Sequence, residues 1–169
     1  MTQPHLVSSS IKRHANATKV KIALTYEDRY LRRKRLTAQD GTSFLVDLAE
    51  TTSVRDGDAF ELKDGTLIGV IAAEEPLLEI TANDGANALA RLAWHIGNRH
   101  TPCQVEPDRL LIQRDHVLED MLKKLGAQVR AVSAPFEPEG GAYGHGRTHG
   151  HSHSHDAHAD PNAHIPPRH

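Results

Sequence analysis

Residues 77–132 read LLEITANDGANALARLAWHIGNRHTPCQVEPDRLLIQRDHVLEDMLKKLGAQVRAV, and short apolar runs alternate there with two helical periods. Residues 77–81 form the first run and predict a strand. Asp84 is placed to cap a helix in which Leu89, Leu92, Ala93 and Ile96 fall at helical spacing. Gly97 stops that helix and can take the left-handed cap conformation. Cys103–Val105 and Leu110–Gln113 then predict two strands around a Pro107-Asp108 turn. A second helix starts near Asp115 and runs through Val117, Leu118, Met121, Leu122 and Leu125 to Gly126, and residues 129–132 supply a last strand. The order βαββαβ is the ferredoxin-like arrangement of two helices on one antiparallel sheet. It serves many chemistries, so function must be argued from particular side chains.

Upstream, the chain reads as β-structure. Val20–Leu24 (VKIAL), residues 44–48 (FLVDL) and residues 66–72 (TLIGVIA) are short apolar or β-branched runs. Turn signals lie between them at Asp40-Gly41, Asp56-Gly57-Asp58 and Asp64-Gly65. Asp-Gly supplies the positive φ of a tight hairpin, so residues 60–63 and 66–70 are expected to pair directly. A small sandwich or open barrel follows, with no helical period before residue 84. The charged, proline-broken Glu74-Glu75-Pro76 marks the expected domain boundary. The chain is thus expected to be α+β: an N-terminal all-β domain over 1–74, a ferredoxin-like domain over 75–143, and a disordered, flexible His-rich tail over 144–169.

That tail holds eight of the thirteen histidines, four of them spaced as His149-x-His151-x-His153-x-His155. Imidazole binds nickel, zinc and copper. The interleaved residues are small or polar, so the segment cannot pack a core and neighbouring imidazoles can turn toward one ion. His145, His158 and His164 extend the pattern irregularly past Pro161, unlike the uninterrupted run of a purification tag. Imidazole must be neutral to ligate, so metal binding by such a tail is expected to weaken below about pH 6.

Composition narrows the alternatives. A net charge of -2 argues against a dedicated nucleic-acid binder, and the basic run of Arg29, Arg32, Arg33, Lys34 and Arg35 reads as solvated surface. One cysteine, Cys103, excludes an internal disulfide and fits a reducing compartment. Neither a signal peptide nor an apolar run of about 20 residues is recognisable, so a cytoplasmic protein without membrane contact is expected. Within the folded part, His100 should emerge on an exposed connection after the first helix. One imidazole holds metal weakly, but a two-fold axis would set two copies of it face to face. His116 follows the expected cap Asp115, where a surface histidine and a ligand are both open readings. His95 reads as structural, and Cys103 as a small buried apolar residue or a thiolate ligand. No phosphate loop, Gly-x-Ser-x-Gly elbow or His-Glu-x-x-His spacing is present, so no enzyme is expected.

Residues 97–102 (GNRHTP) and 115–122 (DHVLEDML), with 135–143 (PFEPEGGAY) ahead of a histidine-rich tail, closely resemble the urease accessory nickel chaperone (UreE) family. Arg33, Arg35, Asp40-Gly41 and Arg55-Asp56-Gly57-Asp58 are similar to its amino-terminal pattern. The resemblance implies a β domain that binds peptide and a ferredoxin-like domain that forms a homodimer. It further implies that the His100 pair binds Ni(II) across the dimer and that tail histidines, beginning with His145, join it. Zn(II) and Cu(II) would compete. The implied partners are a GTPase accessory protein and the apo-urease assembly. Where some members carry a His-x-His pair ending at the position of His116, this chain has Arg114 first, and guanidinium cannot ligate metal. The implied function is nickel delivery for urease maturation. The alternative is a His-rich nickel or zinc buffer, and a zinc hydrolase using His100 and His116 is a third reading.

Overall fold

The computed structural model describes residues 6–83 and 85–140. Two sheets account for all ten strands among them. The first contains β1 (Leu6–Lys12), β2 (Val20–Leu24), β3 (Tyr30–Thr37), β4 (Ser43–Ser53), β5 (Ala59–Leu62) and β6 (Leu67–Ala72). Its strand order is β2-β6-β5-β1-β4-β3. Two of its pairings, β1 with β4 and β2 with β6, are parallel. Phe44 and Phe60 face each other in its core with ring centroids 5.5 Å apart, among Ile22, Leu31, Val46, Ile68 and Val70.

The expected Asp64-Gly65 hairpin is present: Phe60 pairs with Ile68 and Glu61 with Leu67. Gly65 has φ +87°, and Asp64 Oδ1 accepts the amide of Thr66 at 2.9 Å. Donation by that amide holds the Asp64 carboxyl below the usual carboxylate range. Two strands were not foreseen. Of the basic run, Arg29, expected on the surface, is buried with its guanidinium on Leu24 O and Phe136 O. Arg32–Arg35 are exposed as expected but form part of edge strand β3, paired with β4. Four successive charged residues show no period-2 alternation, and cross-strand pairing rather than apolar pattern makes the strand. β1 likewise runs through Ser8, Ser9 and Ser10 and is held by non-local partners on both sides.

The second sheet comprises β7 (Glu74–Thr81), β8 (Cys103–Val105), β9 (Leu110–Gln113) and β10 (Gln128–Pro135), with α1 (Ala86–Gly97) between β7 and β8 and α2 (His116–Lys124) between β9 and β10. The strand order is β10-β7-β9-β8 with every pair antiparallel. This is the βαββαβ order expected from the sequence. Leu78, Ile80, Leu110 and Ile112 pack against Leu92, Ile96, Leu118 and Leu122 of the helices. Leu77 and Leu111 are also fully buried, clustered with Phe136 in a separate core. Because strand side chains alternate, these two point away from the helix layer.

Glu74-Glu75-Pro76, where the domain boundary was expected, opens β7, the first strand of the second sheet. Pro76 sits opposite Ser133 of β10, and pairing with β9 begins only at Leu77. Pro76 therefore lies where β7 has a single neighbour, and one missing donor is tolerated.

Candidate metal centre

The loop from α1 to β8 carries His100. Residues 98–100 turn tightly: Asn98 N donates to Trp94 O at 2.9 Å, Arg99 N to Ile96 O at 3.1 Å, and His100 N to Gly97 O at 3.0 Å. The left-handed residue expected at Gly97 is instead His100 itself, with φ +54°. Gly97 stays helical and Asn98 takes the cap with αR angles, so the reversal of the chain is deferred to His100. A non-glycine residue there costs roughly 1–2 kcal/mol, and such strain concentrates at functional positions. His100 is exposed. One and a half turns earlier Trp94 is 64% exposed, edge-on to the half-buried His95 at 5.0 Å.

The helix start expected at Asp84 lies outside the described residues, and Gly85 occupies the N-cap of α1. At α2 the expected cap is present. Asp115 Oδ1 accepts the amides of Val117 at 2.9 Å and Leu118 at 3.1 Å. His116 is thus the first helical residue, exposed at the positive end of the helix dipole. Arg114 points back along the sheet, donating to Leu77 O and Val132 O, both at 3.4 Å. Burial, reinforced by the charge of Glu139, pushes the Cys103 thiol up to about 11. It is protonated at neutral pH and a poor ligand in that form.

Among the described residues, no three or more His, Cys, Asp or Glu side chains gather into a group able to hold a metal ion. His100 and His116 therefore do not belong to a preformed three-ligand site. His145, His149, His151, His153 and His155 lie outside the described residues. No described helix is long and apolar enough to cross a membrane.

Sequence reasoning missed a second element of this region. Residues 136–140 follow β10 with no regular secondary structure, yet Glu139 N donates to Cys103 O at 2.9 Å and Glu137 N to Gln104 Oε1 at 2.8 Å. The chain therefore returns to the start of β8, three residues beyond His100. Residues 135–143 carry no period, and their only signal was the resemblance to the family pattern.

A mostly-β unit followed by a split β-α-β unit, with an exposed histidine after the first helix, defines a two-domain α+β protein. Models of the UreE urease accessory protein N-terminal domain and C-terminal domain match residues 4–73 and 75–164. The chain belongs to the UreE urease accessory protein family. A urease accessory protein UreE of Ruegeria pomeroyi is 64% identical over 128 residues, covering 76% of this chain and 83% of its own. One from Rhodobacter capsulatus is 61% identical over 127 residues, covering 75% of this chain and 78% of its own. A third, from a Ruegeria strain, is 53% identical over 150 residues, covering 88% of this chain and 83% of its own.

Proposed function

We propose that this chain is a cytoplasmic metallochaperone that collects Ni(II) as cargo and delivers it to the urease maturation complex. The observation that carries the reading is His100: an exposed imidazole held in a strained left-handed turn, outside any group of three or more candidate ligands among the described residues. Such a residue needs ligands from elsewhere. A two-fold homodimer would bring a second His100, because symmetry puts the same patch on both subunits.

Tail histidines are the second source. Cys103 O accepts the amide of Glu139, and Cys103 is the third residue after His100, at most about 11 Å along the chain. His145 is the sixth residue after Glu139, at most about 22 Å away. His145 can therefore reach His100 of the same subunit, with His149, His151, His153 and His155 behind it. Few-ligand imidazole sites suit exchange, whereas closed four-ligand cages suit structure. In this reading residues 1–74 hold peptide, 75–143 dimerise and bind metal, and 144–169 gather it. The receiving partners are the urease accessory GTPase and apo-urease, and Zn(II) and Cu(II) compete for the site. His116 is at most an auxiliary ligand, because Arg114 supplies no second imidazole.

A His-rich buffer or store is the second reading, favoured by the lack of a three-ligand group among the described residues. Equilibrium dialysis with Ni(II) on a chain ending at Gly144, with and without His100→Ala, separates the two. Delivery predicts about one tight ion per truncated dimer, lost with His100→Ala. Loss of all tight binding on truncation would establish the buffer instead.

A further inference from the structure

Residues 136–140 are held far more firmly than their irregular backbone suggests. Phe136 is fully buried with Leu77 and Leu111, and its ring meets Tyr26 edge-on at 5.3 Å. Arg29, 2% exposed, donates Nη1 to Leu24 O at 2.9 Å and Nη2 to Phe136 O. Glu137 Oε1 accepts the amide of Asp56 at 2.7 Å while Glu137 N donates to Gln104. Arg29 and Asp56 belong to the first sheet unit, and Gln104 and Cys103 to β8 of the second. The segment is a strap fastened on both sides.

The strap is not needed to secure β10, whose eight residues are all paired with β7. What it adds is direction. Without it, the chain beyond Pro135 would leave from the end of β10 opposite Glu74. With it, the chain is carried to Cys103 before the histidine-rich segment begins. Burying a guanidinium is costly unless its donors are satisfied, and Arg29 spends one of them on the strap's first carbonyl. Burial draws the Arg29 guanidinium below its usual range, opposed by the charges of Glu137, Glu75 and Asp56, but a guanidinium keeps its proton.

We infer that the strap is a positioning device for metal binding, through which the first unit sets where the histidine-rich segment starts relative to His100. This rests on the reading that tail histidines join His100. Arg29, Glu137 and Gln104 are positioning residues, and the first unit contributes to nickel capture without supplying a ligand.

The test compares Ni(II) affinities of two full-length chains, one native and one with His145, His149, His151, His153 and His155 changed to alanine. Their ratio is the tail's contribution. Glu137→Ala with Gln104→Ala removes the strap's side-chain fastenings and leaves Glu139 N to Cys103 O as its single tie to β8. Release of that tie lengthens the tether to His145 from six residues after Glu139 to nine after the buried Phe136. Effective concentration falls as about the -3/2 power of tether length, so the ratio should drop about twofold. Affinity of the tail-substituted chain and its melting temperature should stay unchanged. Six Gly/Ser residues inserted between Gly140 and Gly141 touch no packed side chain and should lower the ratio about threefold. This second variant carries the test should the first melt early. A native ratio near one would overturn both the tail reading and the strap's role. A large native ratio that survives both changes would overturn the strap's role alone.

Discussion

Thr18 occupies the space that a side chain on Gly69 would need. A Cβ built on Gly69 would lie 2.0 Å from Thr18 Oγ1, 3.1 Å from its Cβ and 3.3 Å from its Cγ2. Rotating the threonine cannot clear all three atoms. Gly69 pairs with Lys21 of β2 and with Ala59 of β5, so the backbone cannot retreat either.

Gly69→Ala should therefore destabilise the first unit by about 1–3 kcal/mol, the usual cost of overpacking. Adding Thr18→Ala should recover part of that loss. Urea denaturation of both variants checks the pair, and equal midpoints for Gly69→Ala and the native chain would contradict the contact.

Replacing Arg29 by methionine keeps the volume but takes the guanidinium donor from Phe136 O, while Leu24 O keeps the amide of Ala73 at 2.9 Å. A buried carbonyl orphaned in this way costs roughly 1–3 kcal/mol. Arg29→Lys should fall in between, because one ammonium cannot reproduce two donors on a planar fork. Thermal melting gives the order native, lysine, methionine.

Glu79 sits between two guanidinium groups, Arg109 Nη1 at 2.9 Å and Arg130 Nη2 at 2.8 Å. The hydrogen bond from Arg109 leads in holding its carboxyl below the usual range, with Arg130 adding to it. A carboxyl whose value is lowered by folding stabilises the folded state above its ordinary value near 4.5, and that contribution is lost as pH falls through the lowered one. Arg109→Ala should shrink the loss of stability between about pH 5 and pH 3, as followed by urea midpoints at each pH. A steeper acid decline in the variant would contradict it.

His100→Gly should separate stability from function. Glycine adopts φ +54° without the penalty histidine bears, so the variant should gain up to about 1 kcal/mol in denaturant while its tight Ni(II) site disappears. His100→Ala loses the metal without that gain.

The Cys103 thiol, raised to about 11 by burial, should react with Ellman's reagent far more slowly at pH 8 than a free cysteine does. Cys103→Ser should leave nickel affinity unchanged. Rapid labelling, or a lost nickel site, would place the thiolate back among the ligands.

Where a local rule acts within a few residues, the sequence alone was enough. The periods of α1 and α2, the Asp115 cap and the Asp64-Gly65 hairpin were all legible because each depends on neighbours in the chain. β1 and β3 were not, since Ser8–Ser10 and Arg32–Arg35 become strands only through partners thirty or more residues away or through a hairpin lacking alternation. His100 was legible as an exposed loop residue, but its own left-handed backbone was hidden behind the more obvious candidate Gly97. The strap was invisible because its fastenings are a buried Arg29, the single ring of Phe136 and isolated hydrogen bonds, none of which leaves a periodic trace.

Strand β7 lies between β9 and β10 in its sheet, and its partner β10 is the last strand of the described chain. During synthesis from the amino terminus, β7 must wait for some fifty further residues before its second edge is covered. Only after β10 and the strap have emerged does the ribosome release the histidines that follow. The order of translation thus places the pairing of the whole second sheet ahead of the thirteen-histidine chain's last eight imidazoles.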